Sequence, residues 1–384
     1  MTFNNELIET WQRHQTPFYY YDTALLKRTL SAVVQESQRY GYHVHYALKA
    51  NANPGILRYI LEAGLGADCV SGNEVKRAYE SGFQPASIVF AGVGKSDAEI
   101  AYALGKDIFC FNCESMHELQ VLDELAGAKN KVASVALRIN PNVDAHTHKY
   151  ITTGLEENKF GINPYEFADV IALIRTLKHV QLIGLHFHIG SQITDLQPFR
   201  QLCVKVNEIN AYFLQQGFDL PAINVGGGVG INYSEPDAEP IIDFAAYFKV
   251  FSDFLELRPQ QQLHFELGRA IVAQCGSLIS RVLYIKNGIN TNFAILDAGM
   301  TELIRPALYQ AYHRIQNISS VSGNILKYDV VGPICESSDC FGKAVDLPQT
   351  QRGDLIAIRS AGAYGEVMAS RYNLRDEVRS YFSE

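Results

Sequence analysis

The 384-residue chain contains no run of eighteen apolar residues, so no segment is suited to cross a membrane as a helix. Its first fifteen residues, Met1 to Gln15, mix acidic, basic and polar side chains without an apolar stretch. No secretory signal is indicated, and the protein is expected in the cytoplasm. Positive charge is in deficit: 33 Lys and Arg stand against 41 Asp and Glu, a formal charge of −8. No Lys/Arg stripe could neutralise phosphates, which argues against nucleic acid or an anionic membrane as partner and for a small-molecule ligand. Cysteine is sparse and odd in number: Cys69, Cys110, Cys113, Cys203, Cys275, Cys335 and Cys340 are spread along the chain. They fit reduced thiols better than a disulfide framework. Cys110 and Cys113 have CxxC spacing, but a second such pair and a zinc-finger histidine pair are both missing, and His146 and His148 have no carboxylate at ligand spacing. No metal is expected, and there is neither an internal repeat nor a low-complexity tract.

The composition, 47% hydrophobic and 19% charged, is ordinary for a globular chain long enough for two domains. Short β-branched or aromatic runs recur regularly: 43–48, 66–70, 87–91, 107–112, 134–140, 182–189, 222–225 and 263–266. Amphipathic stretches at 54–63, 73–81, 96–104, 114–125, 164–177, 198–216 and 241–257 lie between them. This alternation predicts a (β/α)8 barrel with its site where the strands end; a doubly wound open sheet is the alternative. After Gly268 the pattern changes to strands without regular helices, at 271–273, 276–284, 292–296, 328–331 and 354–358, with a helical or turn-rich insertion at 303–313. The segment Thr16 to Asp22 could add a strand to that part. The expected division is 25–268 as barrel, with 1–24 plus 269–384 as a mostly-β domain.

Chemically demanding residues gather at the C-terminal ends of the barrel runs. Lys49 ends the first. A lysine there is desolvated, which disfavours its ammonium and suits a Schiff base with an aldehyde. The sixth run ends in His186-Phe187-His188-Ile189-Gly190-Ser191, the seventh in Gly226-Gly227-Gly228, and the eighth in Glu266-Leu267-Gly268-Arg269. Consecutive glycines let backbone N–H groups approach an anion without a Cβ in the way, where barrels commonly bind phosphate. A lysine, a phosphate nest, an imidazole and a carboxylate at one barrel mouth describe a pyridoxal 5'-phosphate site.

Long motifs sharpen this reading. The segments YALKAN (46–51), GADCVSGNE (66–74), ENKFGI (157–162), HFHIGSQ (186–192), VGGGVGI (225–231), ELGRAIVA (266–273), MTELIRPALYQAYH (300–313), GPICESSD (332–339) and AGAYG (361–365) span nearly the whole chain. Through them the chain resembles the fold-type III pyridoxal phosphate decarboxylases, the group that includes decarboxylases of ornithine, lysine and arginine. The resemblance implies an alanine racemase-like barrel plus β domain and a homodimer with shared active sites. It makes Lys49 the cofactor lysine, His188 the ring-stacking residue and Glu266 the partner of the pyridine nitrogen. Ser191, Gly226, Gly227, Gly228, Gly268, Arg269 and Tyr364 become cofactor contacts. It further implies that Arg269, Arg305 and Tyr309 receive the substrate's distal carboxylate, that Tyr364 also contacts the substrate, that Glu336 takes its distal ammonium, and that Cys335 donates a proton.

A cationic clamp together with an anionic acceptor suits a substrate ending in a second amino acid group, and the expected reaction is decarboxylation of meso-2,6-diaminopimelate to L-lysine. Enzymes for ornithine, arginine or carboxynorspermidine are the alternatives, and a non-catalytic cofactor-binding regulator is a remote one. Most relatives carry proline where this chain has Leu267, and Cys340 is extra to the motif.

Overall fold

The structure, a computed structural model, describes residues 3–143 and 159–383; His146 and His148 lie outside the described residues. By its internal contacts the chain divides into two units. One comprises Leu30–Gly230 and Asp243–Gly268; the other comprises Met1–Thr29, Ile231–Ile242 and Arg269–Glu384.

The first unit is a closed parallel barrel of β2 (His43–Ala47), β3 (Gly66–Cys69), β4 (Ile88–Phe90), β5 (Cys110–Cys113), β6 (Ala133–Ile139), β7 (Val180–Phe187), β8 (Ala222–Asn224) and β9 (Gln262–Leu267). All eight runs expected as strands are strands. Pairing of β2 with β9, with His45 opposite Glu266, closes the ring. The turns into three of the helices share one local device. Ser71, Ser96 and Ser115 each accept the backbone N–H of a glutamate three residues on, satisfying an otherwise orphaned donor of the first turn. Because every strand runs the same way, all eight C-terminal ends lie at one mouth.

The second unit is an eight-stranded sheet built on β10 (Gly276–Asn287). Its main path runs β12 (Ile315–Asn317), β15 (Leu355–Ile358), β10, β11 (Asn292–Leu296), β13 (Ile325–Val331) and β14 (Cys340–Pro348). The early segment does join it. β1 (Phe18–Tyr21) pairs antiparallel with β10, from Phe18 opposite Ile279 to Tyr21 opposite Gly276, and β16 (Arg379–Phe382) runs parallel to β1. Trp11, Phe18, Tyr20, Ile279, Leu355 and Ala357 form a core here, with the Trp11 ring edge-on to Tyr20 at 4.7 Å.

Two expectations need correction. Residues 271–273 are not a strand; the helix Arg269–Val272 occupies this stretch, and Ala273 N–H donates to the Arg269 carbonyl at 3.0 Å. A short apolar run buried on all sides has no period with which to distinguish the two states. Strands β12, β14 and β16 were not anticipated. β14, CFGKAVDLP, mixes glycine and charge as a sheet-edge strand does, which hides its alternation. In the insertion at 303–313 only Arg305–Tyr309 is helical, and Gln310 ends it in a left-handed conformation with φ 52°.

Candidate active site

In the barrel unit, Lys49 stands just beyond β2 in the turn Leu48–Ala50. Its Nζ donates to Asp68 Oδ2 at 3.0 Å, and the carboxylate is completely buried while the lysine side chain is 35% exposed. A carboxylate on the neighbouring strand is thus paired with this lysine. Burial first, and the Glu266 charge second, hold the Asp68 carboxyl above its ordinary value, with Lys49 pulling the other way. Gly268 packs the end of β9 against this turn, since a Cβ there would lie 2.9 Å from Ala50 Cβ and 3.1 Å from Ala47 Cβ.

Glu266 is buried and held from three sides. Its Oε1 accepts from Asn224 Nδ2 at 2.8 Å and Asn112 Nδ2 at 3.1 Å, and its Oε2 accepts from His186 Nε2 at 3.0 Å. Burial alone would raise its pKa. The attraction and hydrogen bond of His186, followed by the charge of Lys49, outweigh that and hold it well below the usual carboxylate range. Three donors on a carboxylate with about four acceptor positions leave room for one more.

His188 follows β7 and stays neutral, because burial, then the cation of Arg138 and then Lys49, push its pKa well below the ordinary value. Its Nδ1 faces the Gly227 N–H at 3.5 Å. The glycine run is demanded first by the protein itself. A Cβ on Gly227 would fall 1.9 Å from the Glu266 carbonyl oxygen and one on Gly226 2.4 Å from that of Phe187. Gly226 N–H is already used by Asn224 Oδ1 at 2.8 Å, so an anion would meet the later N–H groups of the run. Ser191 lies three residues past His188 and is half-buried.

The remaining predicted residues lie in the β unit. Arg269 and Arg305, both buried, meet at the hydroxyl of Tyr233, which accepts from Arg269 Nη1 at 2.6 Å and Arg305 Nη1 at 3.0 Å. The Arg269 guanidinium lies 4.9 Å from the centre of the Tyr364 ring. Tyr309 closes the short helix that Arg305 opens. Arg305 has His313 Nε2 as its other partner, at 2.8 Å, and no carboxylate among the described residues pairs with it. Burial lowers its pKa; Tyr233 opposes that and Arg269 adds to it. Cys335 and Glu336 form a separate, exposed group: Cys335 N–H donates to Asn373 Oδ1 at 3.5 Å and Tyr372 donates to Glu336 Oε1 at 2.7 Å.

Five residues of these clusters were not singled out from the sequence: Asp68, Asn112, Asn224, Tyr233 and His313. Asp68 and Asn224 stood inside quoted or strand-end segments, where a polar residue in a buried strand was the available signal. The CxxC pair is buried on β5, and burial pushes both thiols up, as for two inert core cysteines.

The barrel residues fit pyridoxal phosphate. Asp68 Oδ1 and His186 Nδ1 are buried polar atoms with no hydrogen-bond partner among the described residues, Glu266 retains acceptor capacity, and a lysine stands beside them. A closed parallel barrel with this donor set suits a pyridoxal phosphate enzyme, and the family model "Pyridoxal-dependent decarboxylase, pyridoxal binding domain" matches residues 24–273, which makes the class a pyridoxal phosphate-dependent decarboxylase. Over 378 residues the chain is 58% identical to the diaminopimelate decarboxylase of Bacteroides thetaiotaomicron, covering 98% of each chain. The Helicobacter pylori diaminopimelate decarboxylase, solved with L-lysine, superposes with a TM-score of 0.92 at 41% identity, over 99% of this chain and 94% of that one. The chain belongs to the diaminopimelate decarboxylase family. A lysine/ornithine decarboxylase from Vibrio vulnificus, at 20% identity and a TM-score of 0.85, shares the fold.

Proposed function

We propose that the protein decarboxylates meso-2,6-diaminopimelate to L-lysine and carbon dioxide, as a cytoplasmic step of lysine synthesis. The observation that carries the choice of substrate is Arg305, a buried guanidinium whose partners among the described residues, Tyr233 and His313, bring no full negative charge. A buried cation left without an anion is destabilising by about 3–5 kcal/mol, and the distal carboxylate of diaminopimelate supplies the anion. Ornithine and lysine, reacting at their only amino acid group, have no carboxylate to place there. The relatives named diaminopimelate decarboxylase support the same reading.

Lys49 would hold the cofactor, Glu266 would accept from its ring nitrogen, His188 would lie against its face, and Ser191 with Gly227, Gly228 and Gly268 would line its phosphate end. When bound, pyridoxal phosphate supplies an electron sink for the charge left as carbon dioxide departs. Asp68 takes and returns the Lys49 Nζ proton, so that the lysine can act first as nucleophile and then as acid. Arg269, Arg305 and Tyr309 hold the distal carboxylate, Tyr364 contacts the substrate, and Glu336 takes the distal ammonium. Cys335 Sγ, or Lys49 Nζ, returns a proton to the carbon that has lost its carboxylate. The division of labour places cofactor binding in 25–268, apart from the segment Ile231–Ile242 that folds with the β unit, and substrate recognition in 1–24 plus 269–384; the family match over 24–273 supports the first part. A homodimer with shared sites completes the reading. Cys335 and Glu336 are exposed, as are Leu308, Tyr312 and Leu374, a suitable surface for a second copy.

The test is product analysis of the cofactor-loaded protein with meso-diaminopimelate, ornithine, lysine and arginine in parallel. Lysine and carbon dioxide from diaminopimelate alone is the expected result. Turnover of another substrate instead would overturn the assignment of the arginines.

A further inference from the structure

Tyr233 and His313 have no role in the scheme above, yet they consume one end of the Arg305 guanidinium. Its Nη1 carries two hydrogens. One goes to the Tyr233 hydroxyl oxygen at 3.0 Å and the other to His313 Nε2 at 2.8 Å. The direction of the second bond is settled by the far side of the imidazole, where Nδ1 lies 2.8 Å from the Arg359 carbonyl oxygen. A carbonyl can only accept, so the proton sits on Nδ1 and Nε2 presents its lone pair to Arg305. Burial, with the Arg305 charge next, lowers the His313 pKa to about 3, so it remains an acceptor through the neutral range.

The carbonyl that sets this tautomer is itself anchored. Arg359 N–H donates to the Arg314 carbonyl at 2.8 Å, and the Arg359 guanidinium is gripped by Asp237 Oδ1 at 2.7 Å and Gln316 Oε1 at 2.7 Å. Tyr233 is fixed in turn by Arg269 Nη1 at 2.6 Å and by the His313 ring, edge-on at 5.1 Å. With Nη1 held at two points the planar guanidinium cannot turn. Its Nε–H and Nη2–H donors, which lie parallel on one edge, have no partner among the described residues. That edge is one of the two-point forks by which arginine binds a carboxylate.

We propose that Tyr233 and His313 are positioning residues that present the Nε–Nη2 edge of Arg305 as a two-point receptor for the distal carboxylate of the substrate. This rests on the reading that Arg305 receives that carboxylate. Tyr233 also spaces the two arginines, which would otherwise repel each other across the same volume. The pair therefore governs affinity for ligands that carry the carboxylate and leaves the bond-breaking step alone.

The test compares two inhibitors of the cofactor-loaded enzyme that differ only in this group: L-lysine, which keeps the distal amino acid group, and 1,5-diaminopentane, which lacks the carboxylate. Tyr233→Phe and His313→Leu are expected to raise KM for diaminopimelate and Ki for L-lysine by about 10–50-fold, the range for a lost charge-assisted contact. Ki for diaminopentane and kcat should stay within about threefold. His313→Gln keeps an acceptor and should recover most of the affinity for L-lysine. Combining Tyr233→Phe with Arg305→Lys should be less than additive, because both act on one receptor. If the inhibition constants for lysine and diaminopentane rise together, the role is general packing and the proposal falls. If neither moves while Arg305→Lys weakens lysine, the positioning role falls and the clamp stands. If Arg305→Lys also leaves lysine binding unchanged, the clamp reading itself fails. Should His313→Leu not fold, the half-buried Tyr233→Phe decides.

Discussion

The buried carboxylate of the barrel and the buried guanidinium of the β unit are solved differently. Glu266 is surrounded by three donors from β5, β7 and β8, so its charge is stabilised before any ligand arrives. Arg305 is oriented as firmly, but its partners are a phenol and a neutral imidazole. Geometry is complete in both regions; among the described residues, charge balance is complete in only one. A group that must keep a fixed protonation state benefits from full satisfaction, whereas a group that must discriminate between ligands gains from leaving one specific need unmet.

Several changes would break or sharpen that contrast. The largest effect is expected for Lys49→Ala, which should reduce steady turnover at least roughly 10³-fold while the far-ultraviolet spectrum stays that of the folded protein. Ordinary turnover would remove the lysine from the mechanism. Glu266→Gln should lower kcat by about 10²–10³-fold, since an amide neither balances a protonated ring nitrogen nor accepts from all three of its donors.

The same substitution carries a pH signature. The folded-state pKa of Glu266 is depressed, so its contribution to stability is present above the ordinary value of 4.5 and is lost as pH falls below it. The loss has a slope of up to about 1.4 kcal/mol per pH unit. Asp68, shifted up, acts in the opposite sense, so the useful quantity is wild type minus Glu266→Gln in denaturant unfolding between pH 5 and 3. A difference independent of pH would show that Glu266 is not held ionised.

On the β side, Arg305→Lys should raise KM for diaminopimelate about 10²-fold with a smaller change in kcat, because an ammonium cannot form the two-point contact. An unchanged KM would leave the unbalanced charge without a purpose. His313 offers a milder check. Its folded-state value of about 3 lies below the ordinary 6.5, so the unfolded chain takes up the proton first and stability declines as pH drops below 6.5. In His313→Gln that share of the decline, up to about 1.4 kcal/mol per pH unit, should be missing from unfolding curves measured between pH 7 and 5. Least of all is expected from Cys340→Ser. This half-buried thiol at the start of β14 should be replaceable with activity within about twofold, and a larger loss would give it a role beyond packing.

Much of this molecule is legible along the chain. Eight runs of strand-forming residues punctuated by helical stretches define the barrel, and Lys49, His188, Gly226–Gly228 and Glu266 follow because the end of a barrel strand is a short-range property. The second unit is harder to read. Its strands mix charge, glycine and apolar residues, as in β14, and the four residues Arg269–Val272 are too few for a period to separate helix from strand.

Sequence alone determined the alternation of elements and the residue types standing at each strand end, because residue type and spacing are one-dimensional properties. Tertiary structure decided which donor meets which acceptor. Asp68 answers Lys49, and Tyr233 joins arginines 36 and 72 residues away. The reason is physical: a hydrogen bond is directional over about 3 Å, and closure of the barrel and sheet register, not proximity along the chain, bring two side chains within that distance.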